Sequence, residues 1–168
     1  AWTGAEALLR WRHPRRGLLA PGEFLPLAER AGLMPDVDAW VLDASCRFLA
    51  GEIAAARALP LSVNVAAPTL ECDGFADAVE AALARHGVPP GLLRIEVTEA
   101  AALAAVQPAA SALARLRALG VTVSLDDFGI GHSTLLQLRD LHADCLKVDR
   151  AFSAGMAQDG RDAAIVAA

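Results

Sequence analysis

Short, nearly continuous runs of apolar residues, many of them β-branched, alternate along the chain with longer segments whose apolar residues recur at helical spacing. Continuous apolar runs are typical of strands that are buried on both faces of a parallel sheet. Two of the longer segments end at Gly87 and Gly120, and glycine is favoured just after a helix. The pattern predicts strands over Ala5–Trp11, Leu61–Val65, Leu92–Thr98, Thr122–Asp126 and Cys145–Val148, and helices over Pro21–Ala31, Asp38–Ala58, Phe75–His86, Val106–Leu119, Ser133–Leu141 and Arg161–Ala168.

Strands that alternate with helices indicate βαβ units, and therefore an α/β fold with a parallel sheet. Two architectures fit this pattern: an open doubly wound sheet and a (β/α) barrel of the TIM type. No glycine-rich phosphate-binding fingerprint follows the first predicted strand, which disfavours a dinucleotide-binding fold. No repeat, linker or low-complexity tract is visible, so residues 1–168 are expected to form a single domain.

Composition narrows the class of protein. With 55% hydrophobic and 21% charged residues in 168, the chain can bury a sizeable core. It contains no apolar run of about 20 residues, so we expect this segment to make no membrane contact. A net charge of −5 argues against binding to duplex nucleic acid. Three widely spaced cysteines and the absence of an initiator methionine suggest a cytoplasmic piece of a longer protein.

Polar residues occur at or near the carboxyl ends of four successive predicted strands. Burying a charge in an apolar strand costs several kcal/mol unless the charge is paired or binds a metal ion. The carboxyl ends of parallel strands also form the edge where ligands bind in α/β folds. The pattern therefore predicts a site at this edge, built from Asn64, Glu96, Glu99, Asp126, Asp127, Lys147 and Asp149.

The residue types indicate the chemistry of that site. Carboxylates and an amide, without histidine or cysteine, suit hard cations such as Mg²⁺ or Mn²⁺. The adjacent Asp126 and Asp127 could bridge two ions, an arrangement used in phosphodiester hydrolysis, and Lys147 could hold a water or a phosphoryl oxygen. A simpler alternative is that Asp126 caps the turn before Gly129, while Lys147 pairs with Asp149 as a strand-end salt bridge.

The Asp-Phe-Gly tripeptide at residues 127–129 could suggest a protein kinase. Kinases also require a glycine-rich loop and a His-Arg-Asp segment earlier in the chain, and neither is present. We therefore reject that interpretation. The two glycines at 129 and 131 suit a loop that folds over a ligand.

Five sequence blocks, in order and at suitable spacing, resemble those of one family, the EAL domains. The first is Glu6-Ala-Leu-Leu-Arg10, followed by a Trp-Arg-His-Pro run and by Phe24-Leu-Pro-Leu-Ala-Glu29. Each block alone is only moderately specific, whereas five in order are highly specific. The other four are Leu61-Ser-Val-Asn-Val65, Ile95-Glu-Val-Thr-Glu99, Asp126-Asp-Phe-Gly-Ile-Gly131 and Leu146-Lys-Val-Asp-Arg150.

The resemblance implies a modified TIM-type barrel that cleaves cyclic di-GMP to linear pGpG with Mg²⁺ or Mn²⁺, two ions in all. By motif, the metal ligands would be Glu6, Asn64, Glu96 and Asp126, with Asp127 and Asp149 serving the second ion or its waters. Lys147 would orient or help deprotonate the attacking water, so that Lys147, Glu6 and Asp127 form the implied catalytic set. Arg10 would contact a substrate phosphate, and Glu99 would anchor the glycine loop.

Members of the family have a Gln-Pro-bearing strand before the first block and further β/α units after the last, with additional catalytic groups. We therefore expect an incomplete barrel, lacking the first strand and the last β/α units, with little hydrolysis by these residues alone. The parent protein is expected to be an active phosphodiesterase that could form a homodimer. It is also expected to have flanking sensory or diguanylate-cyclase domains, which could anchor it to a membrane. The alternative is an inactive EAL-type module that senses cyclic di-GMP or docks a protein.

Overall fold

The computed structural model describes residues 3–104, 106–128 and 143–148, with the side chains of 99, 103, 104, 106–108, 127, 128 and 148 not described. Strands and helices alternate through most of this range, as the sequence predicts. The strands are β1 (Ala5–Ala7), β2 (Trp11–His13), β3 (Gly17–Leu19), β4 (Leu61–Asn64), β5 (Leu93–Thr98), β6 (Thr122–Phe128) and β7 (Cys145–Val148). The helices are α1 (Pro21–Arg30), α2 (Met34–Ala54), α3 (Ala67–Leu70), α4 (Phe75–His86), α5 (Glu99–Ala104) and α6 (Val106–Ala118), with a 3₁₀ turn at Pro90–Leu92.

The main sheet, in the described part of the chain, has five parallel strands in the order β1-β4-β5-β6-β7. Each strand of this sheet is paired with the sheet strand that comes before it in the sequence, so the strand order never reverses. A doubly wound sheet reverses its strand order at a switch point, whereas a (β/α) barrel adds strands in one direction. The α/β class is therefore confirmed, and the strand order favours the barrel over the doubly wound sheet.

The core lies between this sheet and the helices on one of its faces. Val63, Ile95, Val123 and Leu125 alternate with polar residues along their strands, and each has no exposed surface. They pack with buried residues of α2, α4 and α6, such as Leu113, into one apolar cluster. The opposite face of the sheet is consequently left to the polar residues of the same strands.

Two predicted elements differ by several residues from the observed ones. The first predicted strand, Ala5–Trp11, is two strands: β1 ends at Ala7, and Trp11 begins an antiparallel hairpin with β3, whose turn ends at Gly17 with φ +77°. Helix α2 begins at Met34, not Asp38, because Pro35 fits the first turn of a helix, where its missing N–H leaves no bond unmade. That helix ends at Ala54, four residues before its predicted end.

Helices α3 and α5 were not predicted. Helix α5 directly follows β5, and the Thr98 hydroxyl accepts a hydrogen bond from the Ala101 N–H at 3.2 Å, which supports its first turn. The predicted helices Ser133–Leu141 and Arg161–Ala168 lie outside the described residues. Among the residues that are described, no helix is both long enough and apolar enough to cross a membrane.

Gly87 ends α4 in the left-handed conformation, with φ +63°, and a Cβ at this position would touch nothing within 4 Å. The cost of Gly87→Ala is therefore purely conformational, and we expect a loss of about 1–2 kcal/mol in the free energy of unfolding. Gly51→Ala, in the equally open interior of α2, should instead stabilise the protein by about 0.5–1 kcal/mol. Urea denaturation of both variants measures the two free energies of unfolding. Changes of the same sign in the two variants would contradict the prediction.

Ala66 is the N-cap residue of α3 and makes no side-chain capping hydrogen bond, but its own N–H is bound by the carboxylate of Asp38 on α2. One carboxylate oxygen of Asp38 accepts hydrogen bonds from the Ala66 N–H at 2.9 Å and from the Thr69 hydroxyl at 2.5 Å. Burial raises the pKa of the Asp38 carboxyl above its ordinary value, although both hydrogen bonds oppose the rise.

The raised pKa of Asp38 predicts a pH-dependent stability. Below the unfolded-state pKa the folded protein has the full advantage of the neutral carboxyl, and this advantage is lost as the pH rises through the folded-state pKa. Asp38→Asn does not titrate, so its stability relative to the wild type should rise from about pH 4 to about pH 7. Urea denaturation across this range measures the difference, and a difference independent of pH would refute the prediction.

Candidate metal centre at the strand ends

The register of the sheet places the predicted polar residues on one face. Asn64 is paired with Glu96, and Glu96 with Ser124, across neighbouring parallel strands. Because successive side chains of a strand point to opposite faces, these residues lie on the face away from the helices. Asp126, two residues after Ser124, shares this face.

Three carboxylates from three strands converge on the ammonium group of Lys147 on β7. Its Nζ lies 2.6 Å from Glu96 Oε2 on β5, 3.6 Å from Asp126 Oδ2 on β6 and 3.9 Å from Glu6 Oε2 on β1. The shortest contact is a hydrogen bond that Lys147 donates to Glu96. One cation therefore links four of the five strands of the sheet.

Asn64 completes the group from β4. Its side-chain N–H donates to Glu6 Oε1 at 2.8 Å, while the other oxygen of Glu6 faces Lys147. The structure thus brings together five of the predicted site residues, one from each strand of the sheet. We call this set the acid–lysine cluster: Glu6, Asn64, Glu96, Asp126 and Lys147.

Burial differs sharply within the acid–lysine cluster. The side chain of Glu96 is 1% exposed, whereas those of Asp126, Lys147 and Glu6 are 27–36% exposed. A buried carboxylate needs a charged partner, and Lys147 provides it. Partial burial works to lower the pKa of Lys147, but the hydrogen bond to Glu96 and the charges of Glu96, Asp126 and Glu6 outweigh it and raise the pKa above its ordinary value.

The donor chemistry of the cluster fits a hard divalent cation. Three carboxylates against one ammonium leave a formal charge of −2, and all the available metal-binding atoms are oxygens. Within residues 3–104, 106–128 and 143–148, no three acidic, histidine or cysteine side chains already form a metal-binding group. Lys147 stands between the carboxylates, so ion binding requires these side chains to rearrange around it.

The remaining predicted site residues are not brought together by the described structure. Asp127 belongs to β6 and Glu99 begins α5, but their side chains are outside the described residues, as is the whole of Asp149. The alternative salt bridge between Lys147 and Asp149 is for the same reason untested. Arg10 is exposed, and its guanidinium donates to the Leu9 carbonyl at 2.7 Å.

Two features of the site region were missed in the sequence. Ser124 is fully buried beside Glu96, and its hydroxyl has no hydrogen-bond partner among the described residues. Asp38 binds the turn that follows Asn64. The available signals were a serine inside an apolar strand and an aspartate close to the apolar stripe of α2, both of which are too common to single out a site.

A separate apolar groove of about 920 Å³ runs between β2, α1 and α2, where Trp11, Phe24 and Trp40 line it. Arg10 and Arg12 are on its wall, and no residue of the acid–lysine cluster is among its described lining residues. Trp40 on α2 is 61% exposed. Large apolar side chains on this side of the molecule are therefore only partly covered.

Comparison with known proteins identifies relatives at high similarity. The chain is 45% identical over 166 residues to the bifunctional diguanylate cyclase/cyclic di-GMP phosphodiesterase MucR of Pseudomonas aeruginosa, covering 98% of this chain and 24% of MucR. It is 43% identical to the cyclic di-GMP phosphodiesterase NbdA of the same organism, covering 97% of this chain and 21% of NbdA. The chain thus spans between a fifth and a quarter of these curated relatives.

Solved structures show the same fold. The phosphodiesterase of MucR in complex with cyclic di-GMP matches with a TM-score of 0.86 at 45% identity, covering 96% of this chain and 66% of that one. The FimX EAL domain from P. aeruginosa, bound to cyclic di-GMP, matches with a TM-score of 0.85 at 27% identity, covering 96% and 64%. The sequence model of the EAL domain matches residues 1–168. The resemblance in the sequence blocks is thereby confirmed, and this chain belongs to the EAL domain family.

Proposed function

We propose that this chain is the catalytic part of a metal-dependent phosphodiesterase that hydrolyses cyclic di-GMP to linear pGpG. The observation that carries the proposal is the acid–lysine cluster, in which carboxylates from three strands surround one lysine and an amide from a fourth strand bonds one of them. Relatives at 43–45% identity are named as cyclic di-GMP phosphodiesterases, which supports the choice of substrate.

Within this proposal, Glu6, Asn64, Glu96 and Asp126 would hold a Mg²⁺ or Mn²⁺ ion. Asp127 and Asp149 would serve a second ion or its waters. When bound, the ions lower the pKa of water and neutralise charge on phosphoryl oxygens. The buried Glu96 binds Lys147 and so keeps the ammonium group beside the ligand set, where Lys147 can orient the attacking water by hydrogen bonding.

Two further roles complete the proposal and come from the family motif alone. Arg10, exposed at the end of the segment after β1, would bind a phosphate of the substrate. Glu99, the first residue of α5, would anchor the glycine-bearing loop that follows β6. The substrate is acidic and the cluster is net negative, so the ions and Arg10 would supply the attraction that the cluster lacks.

The test is hydrolysis of cyclic di-GMP by the full-length protein with Mg²⁺ and with Mn²⁺, with pGpG quantified by chromatography. Glu6→Ala removes the carboxylate that bonds Asn64 and faces Lys147, and should abolish turnover. Glu71→Ala, an exposed acid at the end of α3, should leave turnover unchanged. A wild-type protein that binds cyclic di-GMP without cleaving it would overturn the enzymatic proposal and support a sensor.

A further inference from the structure

The turn that follows Asn64 is held from two sides. On one side, the Val65 N–H donates to the carbonyl oxygen of Glu96 at 2.9 Å, which ties the end of β4 to β5 inside the acid–lysine cluster. On the other side, the next N–H, that of Ala66, donates to the Asp38 carboxylate on α2 at 2.9 Å. The two residues after Asn64 are thus fixed by opposite layers of the fold.

Asp38, the residue that accepts from the Ala66 N–H, is a buried acid. Its side chain is only 6% exposed and accepts from Ala66 and from the hydroxyl of Thr69, itself 4% exposed. An N-cap side chain accepts from the second or third N–H of its helix and not from its own, so the Ala66 N–H needs an acceptor from another element. A carboxylate from 28 residues earlier is buried to supply it, at a cost that the raised pKa of Asp38 reflects.

We propose that Asp38 is a positioning residue of the metal centre, which fixes the turn after Asn64 and thereby holds the Asn64 amide oxygen where a divalent cation binds. The proposal rests on the function proposed above, since it assigns Asn64 as a ligand. The amide nitrogen of Asn64 is already committed to Glu6, which leaves its oxygen for the ion. Metal ligands need to be held within about 0.5 Å, and their supporting hydrogen bonds provide this precision.

Because the Asn64 side chain is exposed, its position depends on its backbone as well as on the hydrogen bond to Glu6. If the Asp38 carboxylate is removed, the Ala66 N–H and the Thr69 hydroxyl lose their buried acceptor, and the turn must shift to find others. The shift acts on Asn64 through one intervening residue. Glu6, Glu96 and Asp126 sit on other strands, and the bond between this turn and Glu96 is made by the backbone carbonyl of Glu96.

The test measures Mn²⁺ binding to the full-length protein by isothermal titration calorimetry without substrate, and the Mn²⁺ dependence of cyclic di-GMP hydrolysis. Asp38→Ala should weaken Mn²⁺ binding roughly tenfold and raise the half-activating Mn²⁺ concentration to match. Asp38→Asn keeps an acceptor oxygen and should stay within about threefold of the wild type, which is rescue by the conservative variant. Thr69→Val, which removes one donor only, covers the case in which Asp38→Ala does not fold and should weaken binding in the same direction.

Two controls separate positioning from general destabilisation. Leu49→Ala, a fully buried position on the same helix, should lower the melting temperature without changing Mn²⁺ affinity. In an Asn64→Ala background, Asp38→Ala should have little further effect on Mn²⁺ affinity, because the two residues act through one ligand. The inference would be overturned if the two substitutions reduced Mn²⁺ affinity additively in the double variant. It would also be overturned if Leu49→Ala and Asp38→Ala reduced Mn²⁺ affinity equally.

The outcome for the wild type distinguishes the two proposals. A wild-type protein that binds Mn²⁺ but leaves cyclic di-GMP intact refutes the proposed activity, while the comparison of affinities still decides whether Asp38 positions Asn64. A wild-type protein that binds no Mn²⁺ overturns both. Unchanged affinity in Asp38→Ala, with wild-type turnover, overturns the positioning role alone.

Discussion

Glu96→Gln is expected to lower kcat for cyclic di-GMP hydrolysis roughly 10²–10³-fold, the loss typical when one electrostatic group of an active site is removed. Glu96 is the most buried member of the acid–lysine cluster and holds Lys147 at 2.6 Å. The amide retains the shape but loses the charge, which weakens both the hold on Lys147 and the attraction for a cation. Initial rates at saturating Mn²⁺ and substrate measure the effect.

Glu80→Gln is the matched control, because it makes the same chemical change on the exposed face of α4. We expect its kcat to equal that of the wild type, and thermal melting of both variants verifies that they are folded. If Glu96→Gln retained more than about a tenth of the wild-type kcat, a role for Glu96 as a metal ligand would be untenable.

Leu113→Ala is expected to reduce the free energy of unfolding by about 2–5 kcal/mol. Leu113 on α6 is fully buried in the apolar cluster where α4, α6 and β6 meet, so its removal leaves a cavity that neighbouring elements cannot close without moving. Urea denaturation followed by circular dichroism gives the change. A loss of this size is a large part of the total stability of most domains.

The control for this prediction is Leu18→Ala in the β2–β3 hairpin, where the leucine is 65% exposed. We expect its free energy of unfolding to stay within about 0.5 kcal/mol of the wild type. Equal losses in Leu18→Ala and Leu113→Ala would show that the helix-covered face of the sheet is not the main source of stability.

Elements with a clear pattern and a clear end could be predicted from the sequence. Helix α4 and strand β7 have the predicted bounds, and β5 differs by one residue. For α4 the reason is local: its apolar residues keep helical spacing, and Gly87 stops it in a conformation that glycine favours. The β2–β3 hairpin follows β1 so closely that its apolar residues merged into one predicted strand.

That the residues of the acid–lysine cluster meet at one edge of the sheet could also be predicted, but not their pairing. Strand-end carboxylates, an amide and a lysine pointed to one edge of the sheet. Which acid Lys147 binds depends on the register between β6 and β7, which includes an irregularity between Leu125 and Phe128. Glu96 lies 51 residues from Lys147, and no local pattern encodes that contact. The pattern starts a helix at Asp38, and no local signal indicates that its carboxylate binds the turn after Asn64.

Lys147 on β7 is synthesised after the acidic residues that it contacts. Glu6, Asn64, Glu96 and Asp126 all emerge from the ribosome before it, so the acidic face is complete while its counter-charge is still missing. Until β7 pairs with β6, the Glu96 carboxylate has no Lys147 to offset its burial, which favours a nascent sheet that leaves this carboxylate in contact with water. Pairing of β7 with β6 is therefore the step at which the acidic face gains a counter-charge from the chain itself.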